Sequence, residues 1–86
     1  MKPKIREPTE EERETAESWP IWEKERSTFP WSYEDKETCL IIEGKAVIQS
    51  DAGESKLKAG DWVIFPKGLE CEWDIKEKIK KHYKFG

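Results

Sequence analysis

Downstream of Trp19, turn-forming residues recur so closely that no interval between them can hold a long helix. Extended segments are predicted over 19–25, 29–33, 37–43, 45–50, 55–58, 62–65, 70–75 and 78–85. The breaks between them are chemical: Ser27 and Thr28, the polar run Glu34, Asp35 and Lys36, then Gly44, a hairpin at Asp51 to Glu54, Gly60 with Asp61, and Pro66 to Gly68. Pro30 removes a ladder donor, which sends its segment to a sheet edge or an irregular start. Many short strands with glycine-bearing turns imply an all-β sandwich or barrel with no helical layer.

The first residues follow other rules. Residues 1–8, with two prolines and alternating charge, read as an extended arm with no internal drive to fold. Thr9 with Glu12 three positions on is a capping box, so a short surface helix is predicted over 10–17, and Pro20 keeps it from reaching Trp19. The chain therefore divides into an arm with a short helix over 1–18 and a barrel over 19–86.

Composition narrows the function classes. An 86-residue chain has room for one core, and 16 basic against 19 acidic residues leave a formal charge of -3. That balance argues against nucleic acid or an anionic membrane as partner. Apolar runs are only a few residues long, far short of the roughly 20 that span a bilayer, and the start lacks an apolar secretory segment, so a cytoplasmic location is expected. Ten aromatic residues supply the bulk that aliphatic side chains do not, each burying on the order of 150–250 Å². The same rings can wall a ligand site.

Strand periodicity puts Glu37, Cys39 and Ile41 on one face, and Cys71, Trp73 and Ile75 on one face. Leu40 and Ile42 point the other way, as in a strand covered on both sides by the arm or by a second subunit. Glu37 to Gly44 resembles the end of the first cupin motif, where a glutamate precedes a glycine by seven positions. Gly60 to Cys71 resembles the second, with glycine, proline and glycine at the family spacing. A finer likeness is to small single-domain cupins grouped with the (S)-ureidoglycine aminohydrolase cupin domain, carried by Trp19-Pro20-Ile21-Trp22-Glu23 and Pro66-Lys67-Gly68-Leu69-Glu70-Cys71. The resemblance implies a cupin jelly-roll barrel of short antiparallel strands, often a homodimer, with any pocket inside it.

It also exposes a departure. A metal-binding cupin is similar in having Glu37, but would carry two histidines near Trp31 and Tyr33 and another where this chain has Cys71. No metal or other cofactor is expected; a zinc or manganese site would have to use Glu37, Cys71 and His82. Cys39 and Cys71 read first as buried small hydrophobes, with thiolate ligands or a reversible pair as the alternatives. A carboxylate inside an aromatic shell must be bonded, paired or protonated, so Glu37 either orients a polar substrate or fixes strand register. His82 is a structural histidine or an acid–base partner, its phase against Tyr83 and Phe85 being open. Lys76, Lys78, Lys80, Lys81 and Lys84 read as a solvated edge that discourages unwanted strand pairing.

The pocket candidates are thus Trp31, Tyr33, Glu37, Cys39, Cys71, Trp73 and His82, with Trp62 toward the rear of the sheet. An aromatic cup with one acid suits a small planar or cationic metabolite. The expected role is binding of a small molecule. Whether the chain is an enzyme stays open: one alternative is a metal-dependent enzyme of nitrogen-compound metabolism, similar to ureidoglycine aminohydrolase. Another is an assembly module that buries Trp19 and Trp22 at a two-fold interface.

Overall fold

Thr9 caps the helix as its sequence context dictates: its hydroxyl accepts from the Glu12 amide at 3.1 Å, and the Glu12 carboxylate accepts from the Thr9 amide at 2.9 Å. In the computed structural model, which describes residues 1–86, β1 (Lys4–Arg6) precedes this helix, α1 (Glu10–Ala16). There follow β2 (Ile21–Lys24), β3 (Ser27–Ser32), β4 (Glu37–Ser50), β5 (Gly53–Lys58), β6 (Trp62–Phe65) and β7 (Glu70–Phe85). No helix is long and apolar enough to cross a membrane.

The strands form one antiparallel sheet in the order β1-β6-β4-β7-β2, with β3 also paired to β7 and β5 to β4. The all-β expectation holds, with two differences in how the strands are counted. The segments on either side of Gly44 are one strand, β4, and those on either side of Lys76 and Glu77 are one strand, β7. The arm, expected to lack any drive to fold, is an edge strand whose Ile5 lies opposite Val63. Pro30 sits in β3, which pairs only with β7, so its missing amide breaks no second ladder.

Gly44 explains why β4 continues instead of stopping. Buried positions are Glu37, Cys39 and Ile41 before it, but Ala46 and Ile48 after it, so the inward phase moves from odd to even. The pairing with β7 shifts register three times between Ile41 and Ala46, which is where that phase change is absorbed. Gly44 has φ +95°, and a Cβ there would fall on the carbonyl oxygen of Lys78. Only glycine permits this approach of the two longest strands.

The interior holds twelve buried residues, among them Ile41, Ile48, Leu57, Phe65, Trp73 and Ile79. A second, smaller cluster covers the outer face, where Ala16 of α1 packs with Leu40 and Trp62, joined by Trp19 and Ile64. The second face of β4 is therefore covered at Leu40 from within the chain by the N-terminal elements, while Ile42 stays exposed. Trp62 faces the rear of the sheet as expected.

Gly44→Ala is expected to lower unfolding free energy by at least about 3 kcal/mol, combining left-handed strain with a backbone clash. Gly60→Ala, where φ is +96° but no atom lies near the new Cβ, should cost about 1–2 kcal/mol. Urea denaturation of the two variants checks the contrast.

Candidate functional site

Glu37 opens β4 directly after the Glu34 to Lys36 turn, and its inward phase carries the carboxylate into the barrel. On β7, Trp73, Ile75, Ile79 and Lys81 are all buried and share one parity, so Lys81 enters the same interior. Its Nζ donates to Glu37 Oε2 at 2.8 Å, and the two residues are only 5% and 3% exposed. The ammonium also lies 4.8 Å from the Trp73 ring, 4.9 Å from Trp22 and 5.7 Å from Phe65. A buried cation needs compensation, and here one carboxylate and three π faces supply it.

Every fully buried side-chain nitrogen or oxygen has a hydrogen-bond partner. Glu37 Oε2 is taken by Lys81, whereas no protein group donates to Oε1, which therefore opens to the adjoining space. That space is a cavity of about 150 Å³. Glu37 and Lys81 share its lining with seven aromatic residues. Trp22, Phe29 and Trp73 form one ring cluster, Phe29 stacking on Trp73 at 5° and 6.1 Å. Tyr33 stacks on Phe65 at 4.7 Å and meets Trp31 edge-on. Trp31 and Phe85, at 48% and 47% exposed, mark the mouth.

Tyr33 contributes a polar atom as well. Its hydroxyl accepts from Trp73 Nε1 at 3.3 Å, leaving its own proton to donate. Burial, reinforced by the Glu37 charge, pushes the phenol far above the usual tyrosine range, so it remains a hydroxyl. The cavity thus combines an aromatic wall with a fixed ammonium, an unshared carboxylate oxygen and a phenol.

Four of the seven sequence-derived pocket candidates line the cavity: Trp31, Tyr33, Glu37 and Trp73. Three do not. Cys39 is fully buried in the core, and Cys71, half-buried, packs against the core opposite Trp31 in the β3–β7 ladder. Both are free thiols. His82 has the opposite parity to Lys81 and turns away: Nδ1 lies 3.0 Å from the Trp19 carbonyl oxygen, which can only accept, so Nδ1 carries the proton. The solvated-edge expectation holds for Lys76, Lys78 and Lys80, which pair with acidic side chains at the surface, but fails for Lys81. Trp22, Phe29, Tyr83 and Phe85 were not among the candidates, although Tyr83 and Phe85 have the parity of Trp73 and Ile79. Trp19 and Trp22 pack within the chain, against Trp62 and Trp73 respectively.

The conditional metal set of Glu37, Cys71 and His82 does not assemble, and no three His, Cys, Asp or Glu side chains converge anywhere. Lys81 occupies one Glu37 oxygen and sets a positive charge beside the other, and His82 is held by Trp19. These residues do not fit a zinc or manganese centre.

Lys81→Met alone should cost about 3–5 kcal/mol, because it strands a buried carboxylate, while adding Glu37→Leu should recover most of that loss. A double-mutant cycle by denaturant unfolding measures the coupling. Burial, the largest cause in each case, pushes the Cys39 thiol up to about 12 and Cys71 up to about 11. Neither should react with a disulfide reagent at pH 8 until the chain is unfolded, when both should. Because folding raises these values, their contribution to stability is full below the ordinary thiol value of 9 and lost as pH rises toward 11–12. Unfolding curves across that window follow the loss.

The model of the EutQ-like cupin domain matches residues 11–83. The crystal structure of a DUF861 family protein from Thermotoga maritima is 44% identical, covers 99% of this chain and 100% of its own, and superimposes with a TM-score of 0.92. The Clostridium difficile EutQ protein is 22% identical over 76% of this chain, with a TM-score of 0.70. That match covers 52% of EutQ, so this chain spans about half its length. A DUF1255 protein from Acidithiobacillus ferrooxidans is 19% identical, with 72% of this chain and 60% of its own covered and a TM-score of 0.68. These two likenesses show the fold alone. No curated protein matches the chain. With a family match across most of its length and a near-complete superposition on a DUF861 protein, this chain belongs to the EutQ-like cupin domain family and has the cupin fold.

Proposed function

We propose that this cupin binds a small, planar, polar metabolite in the aromatic cup, with Glu37 and Lys81 fixing its polar edge. The observation that carries the reading is a buried ion pair at an open cavity, one carboxylate oxygen of which has no protein partner. For stability alone, well-packed apolar side chains would serve as well as the pair or better. Facing a cavity, the same groups offer a donor and an acceptor side by side, which is how small-molecule sites set orientation.

The pair also selects. Its charges cancel, so it favours a ligand that presents both an acceptor and a donor over one with a bare charge. Lys81 already occupies the π faces of Trp22 and Trp73 that a cationic ligand would use. Of the two ligand classes suggested by an aromatic cup, the planar one is therefore favoured. The metal-dependent aminohydrolase reading finds no support in a donor set that does not converge.

Nicotinamide, benzoate and benzylamine, titrated with tryptophan fluorescence and ligand-observed NMR as readouts, test this. Nicotinamide is expected to quench saturably and to bind at least about 10-fold tighter than benzylamine, a difference of about 1.4 kcal/mol. Trp31→Ala should weaken it. No saturable response to any of the three probes would overturn the reading.

A further inference from the structure

The same cavity holds the parts of a proton-transfer catalyst. Glu37 Oε1 is a carboxylate oxygen that no protein group engages, and it opens onto a space walled by rings. Beside it, Lys81 Nζ is held within 2.8 Å of the other carboxylate oxygen and against three aromatic faces. All of these favour a charged nitrogen, so Lys81 serves as a fixed positive charge and not as an amine nucleophile. The Tyr33 hydroxyl adds a second donor to the lining.

We infer that the cup enolises a small carbonyl compound bearing a planar ring, Glu37 Oε1 removing the proton α to the carbonyl while Lys81 holds the oxygen that becomes negative. The inference rests on the binding reading above and names a substrate class and a reaction for it. In the step, the α C–H bond breaks and its electron pair forms the C=C bond of the enolate. The carbonyl π pair moves onto oxygen, and the proton moves to Glu37. Return of a proton to the same carbon gives hydrogen exchange, and delivery to a neighbouring carbon gives an isomer. No oxidant, reductant or further reactant enters.

Charge conservation makes the site suited to this step. Before it, Lys81 is balanced by the Glu37 carboxylate; after it, Glu37 is neutral and Lys81 is balanced by the enolate. The net charge of the cavity does not change, so no new charge has to be buried in low-dielectric surroundings. The ammonium is in place before the reaction and needs no reorganisation, and the aromatic walls limit the water that would compete for the enolate.

Phenylacetone in D2O tests the inference, with NMR following loss of its α-proton signals and fluorescence reporting occupancy of the cup in the same sample. Wild type is expected to accelerate exchange at least about 100-fold over buffer, the scale of positioned general-base catalysis. Glu37→Gln, which keeps an acceptor for Lys81 but no base, should quench with weakened affinity, while exchange at saturating phenylacetone falls to the buffer rate. Should circular dichroism show that variant unfolded, the apolar double replacement Glu37→Leu with Lys81→Met takes its place and should likewise lack exchange. Saturable binding with exchange at the buffer rate overturns the enolisation and leaves binding standing, as does exchange that survives loss of Glu37. Absence of both binding and exchange overturns the assigned carbonyl class, and the probe titrations above then decide the binding reading separately.

Discussion

The buried contact between Lys81 and Glu37 sets the terms for the rest of the barrel. Each charge is too costly to desolvate by itself, so the strands carrying them must stay in register for the pair to survive. β4 contributes the carboxylate at its first residue and β7 the ammonium near its end, and the two strands pair along most of their lengths. The aromatic residues around the pair then do two things at once. They exclude water, which strengthens the contact, and they present electron-rich faces to the nitrogen. The same rings add packing mass to a core whose other buried residues are mostly aliphatic.

The bulge at Gly44 is what lets one pair of strands serve two halves of the interior. Before it, the odd positions of β4 face Lys81; after it, the even positions Ala46 and Ile48 face Ile75 and Trp73. Without the phase change, continuing the odd parity would turn Lys45 and Val47 inward in place of Ala46 and Ile48. The outer face is secured separately. Arg6 forks onto Glu12 with two 2.7 Å hydrogen bonds, and that arginine holds the Glu12 carboxyl down to about 2, so β1 and the capping box are tied by one residue. Trp19 then meets Trp62 at 5.6 Å, and its carbonyl takes the His82 ring.

Period-two alternation made Trp31, Tyr33, Glu37 and Trp73 legible in the sequence, since each lies in a segment whose neighbours fix its phase. The helix cap was legible for a similar reason, as its chemistry is complete within four residues. Lys81 was not, because five lysines in nine residues look like a surface, and composition overrode phase. The buried Ile79 two positions before it carried the contrary signal. His82 is the mirror case: its chemistry drew it toward the site, while the parity that brings Lys81 in sends it out. Gly44 was read as a strand end because glycine usually interrupts strands, yet here it allows a close crossing that depends on where Lys78 lies in the partner strand. That is a tertiary fact with no local trace.

Placing the site's positive charge on a side chain, where the family resemblance would place a metal ligand set, changes what the barrel can do. An ammonium offers directional donors and one charge, but it does not bind through empty coordination positions, so its reach ends at hydrogen-bond distance. Its charge is also part of the fold: removing it leaves Glu37 stranded among rings. On the proposed binding reading, folding and ligand recognition are coupled through the same two atoms, Lys81 Nζ and Glu37 Oε2, while Oε1 is left over. A barrel built this way cannot exchange its cation to change chemistry, and the variation open to it lies in the rings at the mouth. Trp31 and Phe85 stand half exposed there and bear little of the core's packing. Substitutions at those two positions can reshape the mouth of the cavity without disturbing the charge balance beneath them.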